Sequence, residues 1–126
     1  MRTIKILWID DMVSWAKSAQ DILKIIAEKR EIKLIFFSAI NGEDLDICQK
    51  IMQYDLDCIV MDYHMEPQNG DKYIKMIREE SELDFVPIIF YSQDNSVELG
   101  SLINHLTNVL TVYRPNLVDM IKEKFL

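Results

Sequence analysis

Long apolar runs are missing from this sequence, and nothing in it approaches the roughly 20 residues that a membrane-spanning helix needs. The first apolar run, residues 4–9, is short and contains Lys5, so we interpret it as a strand and not as a signal peptide. Gly/Ser linkers, low-complexity tracts and internal repeats are also missing. We therefore expect one cytoplasmic domain that spans residues 1–126 and has no membrane contact.

An excess of basic charge is missing too. The chain has 14 Lys and Arg residues against 21 Asp and Glu residues, for a formal net charge of -7. Nucleic acids and anionic lipid surfaces bind basic patches. The composition therefore argues against direct binding of nucleic acid, and any such output must come from a partner.

Cysteine is scarce. Cys48 falls in a helical pattern and Cys58 in a strand pattern, and no second Cys/His pair is placed to complete a zinc site. We interpret both residues as buried, reduced thiols.

Five short apolar runs alternate with five amphipathic patterns. The predicted strands cover residues 4–9, 32–37, 58–61, 86–91 and 109–113. The stripes predicted to face inward are Ala16, Ala19, Leu23 and Ile26 in helix one; Leu45, Cys48 and Met52 in helix two; Tyr73, Ile74 and Ile77 in helix three; Leu99, Leu102, Ile103 and Leu106 in helix four; and Val118, Ile121 and Phe125 in helix five.

Polar residues complete these helix predictions. Helix three is expected to leave Arg78 in water together with Lys72, Lys75 and Glu79. Asn95 and Glu98 form a capping pattern for helix four, and Asn116 is the expected cap of helix five.

Strict alternation of strands and helices with short connections predicts parallel strands and helices on both faces of the sheet. The fold class is therefore α/β, a flavodoxin-like doubly wound (βα)5 sandwich with strand order 2-1-3-4-5. In that order strands one and three are neighbours. Asp10 and Asp11 follow strand one and Asp62 follows strand three, so we expect the three acids in one crevice.

Three close carboxylates repel each other unless they protonate or bind a cation. Oxygen ligands without a nearby His or Cys pair favour Mg²⁺. A metal beside an exposed carboxylate also suits formation of an aspartyl phosphate. Ser92 and Arg114, which follow strands four and five, add a hydroxyl and a cation for phosphoryl oxygens.

These motifs resemble the receiver (CheY-like) domain of two-component response regulators over essentially the whole chain. The matching pieces are Asp10-Asp11, the DxxM...P..NG pattern from Asp62 to Gly70, Pro87-Ile-Ile-Phe-Tyr-Ser92 and Arg114-Pro115. The separations of 30 residues between Asp62 and Ser92 and of 22 between Ser92 and Arg114 are typical of that family.

The resemblance implies that Asp62 accepts a phosphoryl group from a sensor histidine kinase or a phosphotransfer protein. It implies Mg²⁺ as cofactor, held by Asp10, Asp11, Asp62 and the backbone carbonyl of His64. The side chain of His64 would influence dephosphorylation or, equally, be an ordinary exposed loop histidine.

The resemblance also implies that Ser92 moves to bind the phosphoryl group and that Arg114 stands where the family usually has Lys. The Arg114-Pro115 bond is expected to be cis, as in many of these domains. The surface of helix four, strand five and helix five would then contact an output domain or partner protein, near Asn104, His105 and Asn108. We expect a switch and not an enzyme.

Three departures leave an alternative open. Arg114 replaces Lys and is open to a standing salt bridge with Asp62; Gln93 stands where a small residue is usual; and Thr111 occupies the place of the aromatic switch residue. The alternative is a degenerate receiver that binds proteins without phosphoryl transfer. An aspartate-nucleophile phosphatase and a flavodoxin-like cofactor binder fit the motifs less well. The sequence does not decide between a stand-alone receiver and one followed by an output domain.

Overall fold

The computed structural model describes residues 1–40 and 47–126. The strands are β1 (Arg2–Ile9), β2 (Ile32–Ala39), β3 (Cys58–Asp62), β4 (Ile88–Ser92) and β5 (Val109–Tyr113). The helices are α1 (Val13–Lys29), α2 (Ile47–Tyr54), α3 (Gly70–Glu79), α4 (Leu99–Leu102) and α5 (Leu117–Phe125). All strand pairs are parallel and the order is 2-1-3-4-5, which confirms the predicted fold.

The alternation of side chains along each strand divides the core into two layers. Trp8, Val60 and Tyr91 face the layer that contains α1 and α5. Ile9 and Met61 face the opposite layer, which contains α3 and α4. Both layers are apolar, so the central strands are buried on both faces, as parallel sheets require.

Helices α1, α3 and α5 bury the faces expected from their patterns, with shifts at the ends. Ile26 on α1 is partly exposed, and Ala27 occupies the buried position beside it. On α5, Leu117 and Ile121 are fully buried, and the Asn116 side chain caps no described N–H group.

The prediction of a cis bond at Arg114-Pro115 is wrong, because the cis peptide bond among the described residues is Glu66-Pro67. The Arg114-Pro115 bond is trans and opens a 3₁₀ turn, where proline is well tolerated.

The inward stripe predicted for α2 is partly wrong. Met52 is 55% exposed, whereas Ile51 is 2% exposed and packs with Tyr54 in the core. The buried position is therefore Ile51, one residue before the predicted Met52. Tyr54 lies three residues after Ile51 and so faces the same side of the helix. Leu45 and the side chain of Cys48 lie outside the described part of the chain. Cys58 is confirmed as a buried free thiol, and its burial raises the pKa of that thiol.

Helix α4 is a single turn, shorter than its pattern predicted. The expected cap at Asn95 is wrong, since Asp94 instead accepts hydrogen bonds from the backbone N–H and the hydroxyl of Ser96, at 3.0 and 2.6 Å. Such local hydrogen bonds favour a turn over a helix. Leu99 and Ile103 are nevertheless buried, so the apolar part of the prediction is confirmed.

Arg78 was predicted to lie in water, and this is wrong. Its guanidinium donates to four backbone carbonyls, those of Thr107 (2.8 Å), Leu83 (2.8 Å), Val86 (2.6 Å) and Asn108 (3.0 Å). Asn108 has a φ of 57°, a left-handed conformation that asparagine tolerates. Arg78 therefore joins α3 to the segments that lead into β4 and β5.

None of the described helices has the length and hydropathy needed to cross a lipid bilayer.

Candidate functional site

Three carboxylates lie together at the carboxyl edge of the sheet. Asp10 follows β1 and Asp62 ends β3, and the two strands are adjacent, so one oxygen from each of Asp10, Asp11 and Asp62 lies within 4.8 Å of the others. Asp10 and Asp62 are only 5% and 6% exposed, whereas Asp11 is exposed to solvent. The strand order thus places the acids side by side, as the sequence predicted.

The cluster carries more negative charge than its surroundings balance. Burial, followed by the charges of Asp10 and Asp11, raises the pKa of Asp62 from 3.8 to about 8, although the backbone N–H of His64 opposes this. Burial and the charge of Asp10 also raise the pKa of Asp11. A hard cation would remove this repulsion, and the oxygen-only donor set suits Mg²⁺. The residues present therefore fit a magnesium ion.

Asp10 is oriented by two hydrogen bonds that use different oxygens. The backbone N–H of Met12 donates to Oδ1 at 2.8 Å, and the hydroxyl of Tyr91 donates to Oδ2. Tyr91 is buried, so this contact lies inside the protein. This contact could not be predicted from the sequence, in which Tyr91 is only a tyrosine directly before Ser92 on a strand that ends at the same edge.

Gly70 is required by the close approach of α3 to the end of β3. A Cβ atom at this position would lie 2.0 Å from the backbone oxygen of Asp62. The Gly70 N–H donates to the carbonyl of Tyr63 at 2.8 Å. The glycine of the predicted motif therefore lets the start of α3 pack against the end of β3, where Asp62 lies.

Ser92 ends β4 and is 1% exposed. Its Oγ accepts a hydrogen bond from the backbone N–H of Asp94 at 3.0 Å. It lines a cavity of about 340 Å³ together with Leu99 and Thr111. The hydroxyl is therefore at the predicted edge of the sheet, next to this cavity.

Arg114 lies against an aromatic ring. Its guanidinium carbon is 3.8 Å from the centre of the Trp15 ring, and Nη1 donates to Oε1 of Gln93 at 2.6 Å. Within the described residues it makes no ion pair with Asp62. The predicted cation is thus at the end of β5, as the sequence placed it, but it contacts Trp15 and Gln93 and not the acidic cluster.

A shallow cavity of about 240 Å³ opens beside the acids and is lined by Asp11, His64, Met65, Glu66 and Asn69. His64 is exposed, and its charge lowers the pKa of Asp11 while the charge of Glu66 raises it.

The strand order and the five helices match the flavodoxin-like fold of receiver domains of response regulators. Similar solved structures support the fold with near-complete coverage. No family model matches the chain, and no curated protein matches it in sequence.

The chain is similar to chemotaxis protein CheY4 of Vibrio cholerae, with 19% identity, a TM-score of 0.71 and coverage of 96% of this chain and 98% of that one. It is also similar to the receiver domain of a DNA-binding response regulator from Colwellia psychrerythraea 34H, with 18% identity, a TM-score of 0.74 and coverage of 95% and 96%. A third, the Mn²⁺-bound form of response regulator Rcp1, has 16% identity, a TM-score of 0.67 and coverage of 95% and 90%. At these identities the likeness shows the fold.

Proposed function

We propose that this domain is a phosphoryl-accepting switch whose acceptor is Asp62. The observation that carries the proposal is the convergence of the Asp10, Asp11 and Asp62 carboxylates at the carboxyl edge of a receiver fold. The donor is a phosphohistidine on a sensor histidine kinase or phosphotransfer protein. The chain acts as a stoichiometric acceptor and not as a turnover enzyme.

Mg²⁺ is the proposed cofactor, held by Asp10, Asp11, Asp62 and the backbone carbonyl of His64. When bound, it screens the negative donor from the negative acceptor and stabilises charge on the transferred group. A carboxylate oxygen of Asp62 attacks phosphorus, the P–N bond of the donor breaks, and the released imidazole takes a proton. Asp62 must be ionised for this attack. A bound cation also favours the ionised carboxylate, so cation binding and transfer require the same protonation state of Asp62.

Ser92 is proposed to contact a phosphoryl oxygen after its loop moves toward Asp62. To do so, its Oγ gives up its hydrogen bond with the Asp94 N–H. Arg114 reaches the same group only if its guanidinium leaves the Trp15 ring and Gln93. This cost makes the transfer slower than it would be with a lysine free to approach.

The proposed partner surface is formed by α4, β5 and α5.

The packing of Arg114 favours a second candidate, a degenerate receiver that keeps the fold for protein binding. In that case Arg114 stays on Trp15, and Asp62, whose pKa is raised by burial, keeps its proton. The thermal shift with Mg²⁺ and beryllofluoride, a phosphoryl mimic, separates the two. An intact acceptor site gains melting temperature from the two ions together, beyond Mg²⁺ alone, because both bind the folded state.

Asp62→Asn is the matched control, since the amide keeps the side-chain shape and loses the ligand charge. The proposal expects no added gain from beryllofluoride in this variant. A parent protein whose melting temperature is unchanged by millimolar Mg²⁺ and beryllofluoride would support the degenerate module.

A further inference from the structure

Tyr91 is a buried side chain that hydrogen-bonds an acid of the cluster. Its hydroxyl donates to Oδ2 of Asp10, and the Met12 N–H holds Oδ1. With both oxygens engaged, the carboxylate of Asp10 has a fixed plane. Mutation of groups that hold metal ligands in this way typically weakens metal binding by about 10- to 100-fold.

Two tryptophans hold the Tyr91 ring. Its centroid lies 6.4 Å from that of Trp8 in an edge-to-face arrangement and 5.7 Å from that of Trp15. Trp8 is buried inside the layer between the sheet and α1. Trp15 lies on α1, so the ring that carries the hydroxyl is packed between a strand and a helix. Such aromatic contacts favour one orientation of the ring.

The contacts continue from Trp15 to two loops. Arg114 lies over the Trp15 ring at 3.8 Å, and its Nη1 is bonded to Gln93. Its Nε is buried and has no hydrogen-bond partner among the described residues. The guanidinium is held by stacking on Trp15, by the bond to Gln93 and by a weak contact of Nη1 with Sδ of Met12 at 3.8 Å. A continuous set of contacts therefore joins Asp10, Tyr91, Trp15 and Arg114.

We propose that Tyr91 is a positioning residue for the cation site, and that cation binding at Asp10 is transmitted through Tyr91 and Trp15 to Arg114. This inference rests on the proposed magnesium site. It assigns a route along the α1 side of the sheet, whereas the expected aromatic switch position, Thr111, is exposed on β5 and has no ring.

The first test is the Mg²⁺ dissociation constant of Tyr91→Phe by titration calorimetry. The variant keeps the ring and loses only the hydroxyl, and we expect about tenfold weaker binding, the lower end of the effect of removing such a partner group. Tyr54→Phe is the matched control and should bind like the parent. It loses a hydroxyl at the end of α2, on a ring that stacks on Phe37.

The second test reads the route itself by NMR. Saturating Mg²⁺ should shift the indole N–H of Trp15 and the Nε–H of Arg114 in the parent, and both shifts should shrink in Tyr91→Phe. Trp15→Leu leaves the hydroxyl in place but removes its support, and we expect about threefold weaker Mg²⁺ binding.

The outcomes separate this inference from the proposed function. A parent that binds no Mg²⁺ overturns both. A parent that binds Mg²⁺ while Tyr91→Phe binds equally well, or shows Arg114 shifts of the same size, overturns the inference alone. Normal binding by Trp15→Leu overturns the part assigned to Trp15 and Arg114.

Discussion

The guanidinium of Arg114 lies 3.8 Å from the centre of the Trp15 ring, at a distance typical of a stacked cation–π contact. Arg114 is the residue that the motifs placed beside the phosphoryl group. The planar, weakly hydrated guanidinium stacks on an indole better than an ammonium does. If the proposed function holds, an arginine at this position therefore has a second binding partner, Trp15, that competes with the phosphoryl group.

Arg114→Lys should accelerate phosphoryl transfer to Asp62 from a small-molecule donor at saturating Mg²⁺. The ammonium loses the stacking on Trp15 and the bond to Gln93, and is free to reach the acceptor. One charge-assisted hydrogen bond gained in the transition state, worth about 1.4 kcal/mol, corresponds to an about tenfold higher rate of transfer. The rate is followed by mass spectrometry, with Arg114→Gln as the uncharged control. A slower rate in Arg114→Lys than in the parent would show that the arginine acts from its present position.

Gly70→Ala should destabilise the domain and disturb the acceptor. The new Cβ meets the backbone oxygen of Asp62 at 2.0 Å, so α3 or the loop must shift, at a cost of about 3 kcal/mol or more. The free energy of unfolding in urea measures this. Gly100→Ala is the matched control, because its Cβ has nothing within 4 Å, and we expect it to be neutral or stabilising by about 0.5 kcal/mol. Equal stability of the two variants would contradict the close approach.

Arg78→Met should lower the free energy of unfolding by about 3 kcal/mol, because four carbonyls lose a charged donor while the apolar stem is kept. Lys72→Met on the same helix is exposed and should change it by less than about 0.5 kcal/mol. Urea unfolding measures both. A loss in Arg78→Met as small as that in Lys72→Met would show that these hydrogen bonds contribute little.

Metal-free protein should be less stable at pH 8 than at pH 5. The pKa of Asp62 is raised on folding from 3.8 to about 8, so between these values the folded state binds more protons than the unfolded one. The stability tied to this proton is complete below pH 3.8 and is lost as the pH rises toward 8. We expect a difference of at least about 1.4 kcal/mol, the equivalent of one pKa unit.

Urea unfolding in the presence of a chelator measures this difference. Asp62→Asn should flatten the dependence, and saturating Mg²⁺ should stabilise the parent more at pH 8 than at pH 5, because the cation replaces the proton. A parent whose stability rises from pH 5 to pH 8 without metal would contradict the raised pKa.

The sequence predicts the sheet and the acidic cluster because both follow from local patterns. Buried parallel strands read as continuous apolar runs, and strict alternation with helices leaves few topologies. Asp10 and Asp62 come directly after two such runs, so the strand order alone brings them together. Gly70 was read as part of a motif, and the structure supplies its steric reason.

Side-chain contacts that cross between elements could not be predicted. Arg78 lies on the polar side of its helix pattern, and only the tertiary fold shows the four carbonyls that surround its guanidinium. Tyr91 and Trp15 are separated by 76 positions in the sequence. In the sequence pattern each is only an apolar residue suited to a core, so their contact with each other could not be predicted. Tyr91 meets Asp10, and Trp15 meets Arg114, only once the chain has folded and α1 packs on the sheet.

Whether Asp62 accepts a phosphoryl group with the help of Mg²⁺ can be measured by incubating the protein with Mg²⁺ and a small-molecule phosphodonor and determining the mass of the intact chain. We expect a gain of one phosphoryl group that disappears with a chelator and in Asp62→Asn. A parent chain that gains no mass, or an Asp62→Asn variant that gains as much as the parent, would contradict this expectation.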